Sequence, residues 1–138
     1  MPVNIRRAYD KPGARDGVRI LVDGLWPRGV TKAELKISVW EKSIAPSKAL
    51  RTWYGHDPAK WPEFCKRYRK ELGESPRREV LGRLIAMAEQ GTLTLVFGAR
   101  DAEHSNAAVI AEVIRTRLQG GEVGPAKTAG QKNKAKPG

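Results

Sequence analysis

A carboxylate, an indole and a guanidinium follow one another closely in the run Asp23-Gly24-Leu25-Trp26-Pro27-Arg28. An aspartate can carry a proton where its surroundings let it ionise near working pH. A planar, permanently charged guanidinium matches a phosphate or a carboxylate. The pair has a plainer use as well: Asp23 and Arg28 bonded to each other would simply pin the loop. Other residue types with chemical reach lie elsewhere. His56 sits in a polar turn after Trp53-Tyr54, and Ser105-Asn106 stand near the start of the last helix. Arg7, Arg19 and Arg51 supply further fixed positive charge.

Several chemistries find no support. The single cysteine, Cys65, excludes an internal disulfide and a cysteine-based zinc cluster, and two histidines 48 positions apart have no metal-ligand spacing, so no metal and no cofactor is expected. Cys65 falls on the apolar stripe of a helix, which suits a buried, unreactive thiol. Glycine-rich phosphate loops, a dinucleotide fingerprint and a nucleophile elbow are absent.

The elements that must hold these residues follow from pattern. Val18, Ile20, Leu21 and Val22 make a buried strand that breaks at Asp23-Gly24. Residues 3–8 form a short first strand, and residues 92–97 (TLTLVF) a clear later one. The loop between the first two strands, with Pro12, Gly13 and Gly17, is too short for a helical crossover, so their relative direction stays open. Thr31 to Glu34 has the form of a capping box, and residues 37–44 read as an extended segment over the core. Ser47 caps a brief helix through Leu50, Arg51 and Trp53. A helix from Trp61 buries Trp61, Phe64, Cys65, Tyr68 and Leu72, with Lys66, Arg67, Arg69 and Lys70 opposite. Ser75-Pro76 opens another helix that buries Val80, Leu81, Leu84, Ile85 and Ala88 and ends at Gly91. Asp101 is a plausible cap for a last helix running to about Leu118, with Ala108, Ala111, Ile114 and Leu118 on one face. His104 would lie in its first turn, uncharged because a cation is disfavoured there. This is an α/β domain with a small, mostly parallel sheet of three to four strands flanked by helices, covering residues 3–118.

If the strands at 18–22 and 92–97 run parallel, Asp23–Arg28 and residues 98–106 meet at one rim. Open α/β sheets place ligands at the carboxyl ends of their strands, and the last helix would aim its first amides there. Arg19 joins the set because it precedes Asp23 by four and would share its face, unless it is a salt-bridge partner in the fold.

The formal net charge is +11. Four lysines and one glutamate in residues 119–138 carry +3 of it, leaving +8 on residues 1–118. The tail has almost no apolar bulk and is expected to be a disordered basic segment. Such charge favours acidic partners, from phosphorylated metabolites to nucleic acid, or serves only solubility. There is no apolar run of membrane-spanning length and no signal peptide, so a cytoplasmic protein without membrane attachment is expected.

Taken together, Arg7-Ala-Tyr9-Asp10, Asp16-Gly-Val-Arg19-Ile-Leu-Val-Asp23-Gly-Leu-Trp26-Pro27-Arg28-Gly29, Trp40, Pro46-Ser47, Leu50-Arg51, Trp61, Phe64, Tyr68-Arg-Lys-Glu71-Leu72 and Leu93-Thr-Leu95 resemble the YeaO-like branch of the domain-of-unknown-function family 488. The resemblance covers residues 3 to about 118. It implies a bacterial, cytoplasmic α/β domain and brings no reaction with it. The family usually has arginine where this chain has Gly24. Relatives in the wider family have a cysteine after the last strand and a Cys-His-Arg at the start of the last helix; Phe97 and Ser105-Asn106-Ala107 stand there here, so thiol chemistry is not available, though Ser105 and Asn106 could donate hydrogen bonds.

Two functions follow. In the first, a small enzyme or binding domain holds an anionic ligand with Arg7, Arg19, Arg28, Arg51, Ser105, Asn106 and the last helix's amino end, with Asp23 or His56 carrying protons. In the second, a nucleic-acid-associated module uses its basic body and tail without a reaction.

Overall fold

Four parallel strands, β1 (Val3–Arg7), β2 (Val18–Leu21), β3 (Val39–Trp40) and β4 (Leu93–Phe97), lie in the order β1-β4-β2-β3 in the computed structural model, which describes residues 2–120. β4 is interior to the sheet and all five of its residues are buried, as expected of a mostly apolar strand covered on both faces, its one polar side chain, Thr94, being hydrogen-bonded. Its register sets Val3 and Val18 beside Leu93, and Arg7 beside Phe97. The direction of the first strand is thus settled as parallel to its neighbour, and that neighbour is β4, not β2.

The ten residues between β1 and β2 make this possible without a helix. They run back under β4, where Thr94 Oγ1 donates to Asp16 O at 2.7 Å. Gly17 makes the closest approach: its φ is +64°, and a Cβ there would sit 2.3 Å from Thr92 O. Only glycine fits both the backbone angle and the space.

The helices are α1 (Lys32–Leu35), α2 (Lys48–Tyr54), α3 (Trp61–Leu72), α4 (Arg77–Gln90) and α5 (Asn106–Leu118). Period-two alternation divides the sheet's contacts. Ile20, Val22, Leu93, Leu95 and Phe97 face α2 to α5 and form the main core, joined by Phe64, Tyr68, Leu84 and Ile110. Leu21 and Val96 face a smaller cluster with Leu35, Trp26 and Trp40. The capping box at Thr31 and Glu34 is present in both directions, and Ser47 Oγ accepts from Leu50 N–H at 3.1 Å.

Some local expectations need correction. Residues 37–44 are not simply extended: Val39–Trp40 pair as an edge strand and Lys42–Ile44 form a single 3₁₀ turn. α4 begins at Arg77 with Pro76 as its cap residue, and Ser75 donates its hydroxyl to Glu79 instead of receiving an amide. Asp101 caps a 3₁₀ turn over Ala102–His104, while α5 is capped by Ser105. His104 therefore precedes α5. The buried face of α5 is wider than one stripe, because Ala107, Val109, Ile110, Ala111, Val113 and Ile114 lie between the sheet and α4 and are all buried, whereas Ala108 and Leu118 are half-buried. Residues 121–138, most of the expected basic tail, lie outside the described residues.

Candidate functional site

Asp23 follows the end of β2, and Gly98 follows the end of β4 in the adjacent position. The Gly98 N–H donates to Asp23 Oδ2 at 2.8 Å, joining the two strand ends. A Cβ at residue 98 would stand 3.2 Å from that oxygen, so the absence of a side chain is what lets the amide in. From the start of α5, Asn106 Nδ2 donates to Val22 O at 3.0 Å and its amide also favours the ionised form of Asp23. Burial nevertheless dominates and pushes the Asp23 carboxyl above its ordinary value, against the Gly98 amide, Asn106 and the Arg51 charge.

This carboxylate lines a cavity of about 420 Å³. That size suits a small molecule. α2 supplies Arg51 and Tyr54, α3 supplies Phe64, and the segment before α2 supplies Ala45 and Pro46. His56, His104, Ser105 and Asn106 complete the side nearest α5. Tyr54 and Phe64 stack with ring centroids 4.5 Å apart, giving one wall an apolar surface. Arg51 is steadied at one end, where its Nε donates to Pro46 O at 3.2 Å. Its Nη1 and Nη2 have no protein partner among the described residues and stand at the cavity.

Of the residues singled out from sequence, the structure gathers Asp23, Arg51, His56, Ser105 and Asn106 around one space. Ser105 is less available than its position suggests: its Oγ accepts from Ala108 N–H and donates to Ala102 O at 2.8 Å, so it is spent on capping. His56 is exposed, with φ +58° in the left-handed region.

Three arginines are elsewhere. Arg28 is exposed and outside the cavity, because the chain turns over the sheet edge after Leu25. Trp26 packs edge-on against Trp40 at 5.5 Å and donates its indole N–H to Val30 O, carrying the Trp-Pro-Arg corner to the smaller cluster. No ion pair joins Arg28 to Asp23 among the described residues. Arg19 is buried on the same far face, where Nη1 bonds Asp16 at 2.6 Å and Nε and Nη2 bond Leu35 O. Its shared parity with Asp23 did not place them together, since alternation holds through Val22, on the same face as Ile20, and breaks at Asp23. Arg7 donates from Nε to Ala99 O at 2.9 Å, bracing the loop after β4 from behind.

Sequence reasoning set aside His104, Tyr54 and Gly98. For His104 a signal existed in the Asp101-x-x-His104 spacing: Asp101 Oδ2 and His104 Nδ1 are 2.6 Å apart, and Trp61 packs edge-on against the imidazole at 5.0 Å. Cys65 is buried, and burial pushes its thiol up. Among the described residues, no three His, Cys, Asp or Glu side chains come together as a metal site, and no helix is long and apolar enough to cross a membrane.

Comparison with known proteins places this chain in a family. Residues 2–133 match the family described as "Inactive DUF488-N3 subclade". The uncharacterised protein Rv3073c of Mycobacterium tuberculosis is 37% identical over 115 residues, 83% of this chain and 95% of that protein. The uncharacterised protein YeaO of Escherichia coli is 34% identical over 116 residues, covering 84% of this chain and 99% of the relative. No solved structure matches. The expected resemblance thus becomes an assignment: the chain belongs to the DUF488 family, in the subclade described as inactive DUF488-N3.

Proposed function

We propose that the protein is a binding domain that holds a small phosphate- or carboxylate-bearing ligand in the cavity at the carboxyl ends of β2 and β4. The observation that carries this reading is Arg51: a guanidinium held at Nε by Pro46 O, with its other nitrogens unpaired at a cavity of ligand size. The amino end of α5 adds its positive dipole end to the same side. Asp23 accepts hydrogen bonds from donor groups of the ligand, and the Tyr54 and Phe64 rings cover its apolar part. The family description as inactive favours binding over a reaction.

A nucleic-acid role draws less support from the surface. On the exposed side of α3, Arg67 is paired with Glu63 and Arg69 with Glu112, so half of that basic row is already neutralised. The test is a titration of inorganic phosphate into the full chain, followed by amide chemical shifts. Saturable shifts centred on Gly98 and Asn106 are expected. Shifts spread along α3, or none that saturate, would overturn the proposal.

A further inference from the structure

A second cavity, also of about 420 Å³, adjoins the first. Tyr54, His56, Ala99 and His104 line both, so these four residues form the divider shared by the two chambers, the first here called inner and the second outer. The outer chamber has its own cation. Arg100 is exposed and lines it, with no hydrogen bond or ion pair among the described residues. Asp101 is its acidic neighbour there, but that carboxylate is engaged by His104 Nδ1 at 2.6 Å and by the Glu103 amide at 3.1 Å. The same contact, with Trp61 against the ring, fixes the imidazole of His104 at the divider. Each chamber is therefore lined by one guanidinium that makes no ion-pair contact among the described residues, Arg51 lying near enough to Asp23 to act on its charge, and the two imidazoles belong to both linings.

We infer that the two chambers act as one cleft and take an elongated ligand with an anionic group at each end, one on Arg51 in the inner chamber and one on Arg100 in the outer, its linker passing His56 and His104. This rests on the binding role of the inner cavity and adds to it the ligand's class: a molecule with two separated phosphate- or carboxylate-type groups, not a single-headed anion. Joining two weak contacts through one linker raises affinity only when the linker spans the gap, so the signature is an optimum in length.

The experiment titrates the full chain calorimetrically with inorganic phosphate and with a series of alkane diphosphonates of increasing chain length. One length should bind at least tenfold tighter than phosphate, with shorter and longer members weaker. Arg100→Gln should remove that advantage while leaving phosphate affinity within about twofold, and Arg51→Gln should weaken both. The inference is overturned if affinity has no length optimum, or if Arg100→Gln leaves the best diphosphonate unchanged or weakens phosphate to the same degree. Phosphate binding that survives Arg51→Gln, or is absent in the unaltered chain, removes the inner site and the inference with it. Phosphate binding that depends on Arg51 with no effect at Arg100 removes the inference alone.

Discussion

Replacing Arg51 by alanine separates binding from folding, because the two ends of this side chain do different things. Its Nη1 and Nη2 face the cavity with no protein partner, and hydrogen bonds from a charged donor contribute about 1.5–3 kcal/mol each. Two such contacts to one anion are not fully additive, so the expected loss is about 2–4 kcal/mol, or roughly 30- to 1,000-fold in Kd. The folded protein loses much less. The bond from Nε to Pro46 O lies on an exposed residue and contributes about 1 kcal/mol net. The cation in the last turn of α2 adds about 0.3–1 kcal/mol through the helix dipole. Calorimetric titration with phosphate and thermal unfolding of the same variant measure both effects. Arg51→Lys keeps the charge without the planar fork and should fall between the two. The reasoning is refuted if phosphate affinity stays within threefold of the unaltered chain, or if the melting temperature collapses while binding persists.

Two further outcomes concern the buried Asp16 and the half-buried Asp23. Asp16→Ala should destabilise by about 3–5 kcal/mol in urea unfolding, since it leaves the buried Arg19 guanidinium without its counter-charge and frees Arg6 as well; a loss below about 1 kcal/mol would mean that the Leu35 carbonyl alone suffices. Asp23 should show the opposite sign. Its carboxyl titrates higher folded than unfolded, so its contribution is full below the unfolded value of about 3.8 and is lost as pH rises through the folded value. Asp23→Asn should accordingly gain stability over the unaltered chain towards neutral pH and lose that advantage as pH falls towards 4. A difference that is flat with pH, or grows on acidification, would contradict burial as the dominant cause.

The two carboxylates also show why parts of the site were legible and others not. Asp16 is buried, and burial pushes it up, yet the Gly13 amide, Arg19 and Arg6 together hold it below its usual value. Asp23 also has three compensating groups, but only one of them, Arg51, is a cation and it makes no ion pair with the carboxylate among the described residues, so burial wins and the shift goes the other way. Both are Asp at a turn beside a strand, so residue type carries no trace of this difference; the charge of the groups around each does, and those around Asp16 are near neighbours in the chain while those around Asp23 come from distant segments. Position along a strand was readable: an apolar run ending at Asp-Gly, and another ending at Phe-Gly, mark two strand ends that a parallel sheet brings to one rim. Which arginine reaches that rim was not readable, because it depends on where Trp26 buries its indole.

The sequence by itself determined the elements and their kind. The apolar runs of β2 and β4, the α3 stripe and the caps at Thr31 and Ser47 are short-range patterns, and local physics is enough to place them. It also determined that Asp23 and the start of α5 share an edge, given parallel strands. Only the tertiary structure decided that β1 lies against β4, through a loop that passes beneath it at Gly17, and that Arg51 takes the place expected of Arg28. Those choices rest on contacts between residues far apart in the chain, such as Trp26 with Trp40 and Asp16 with Thr94, whose energies compare whole packings and leave no periodic mark in either segment.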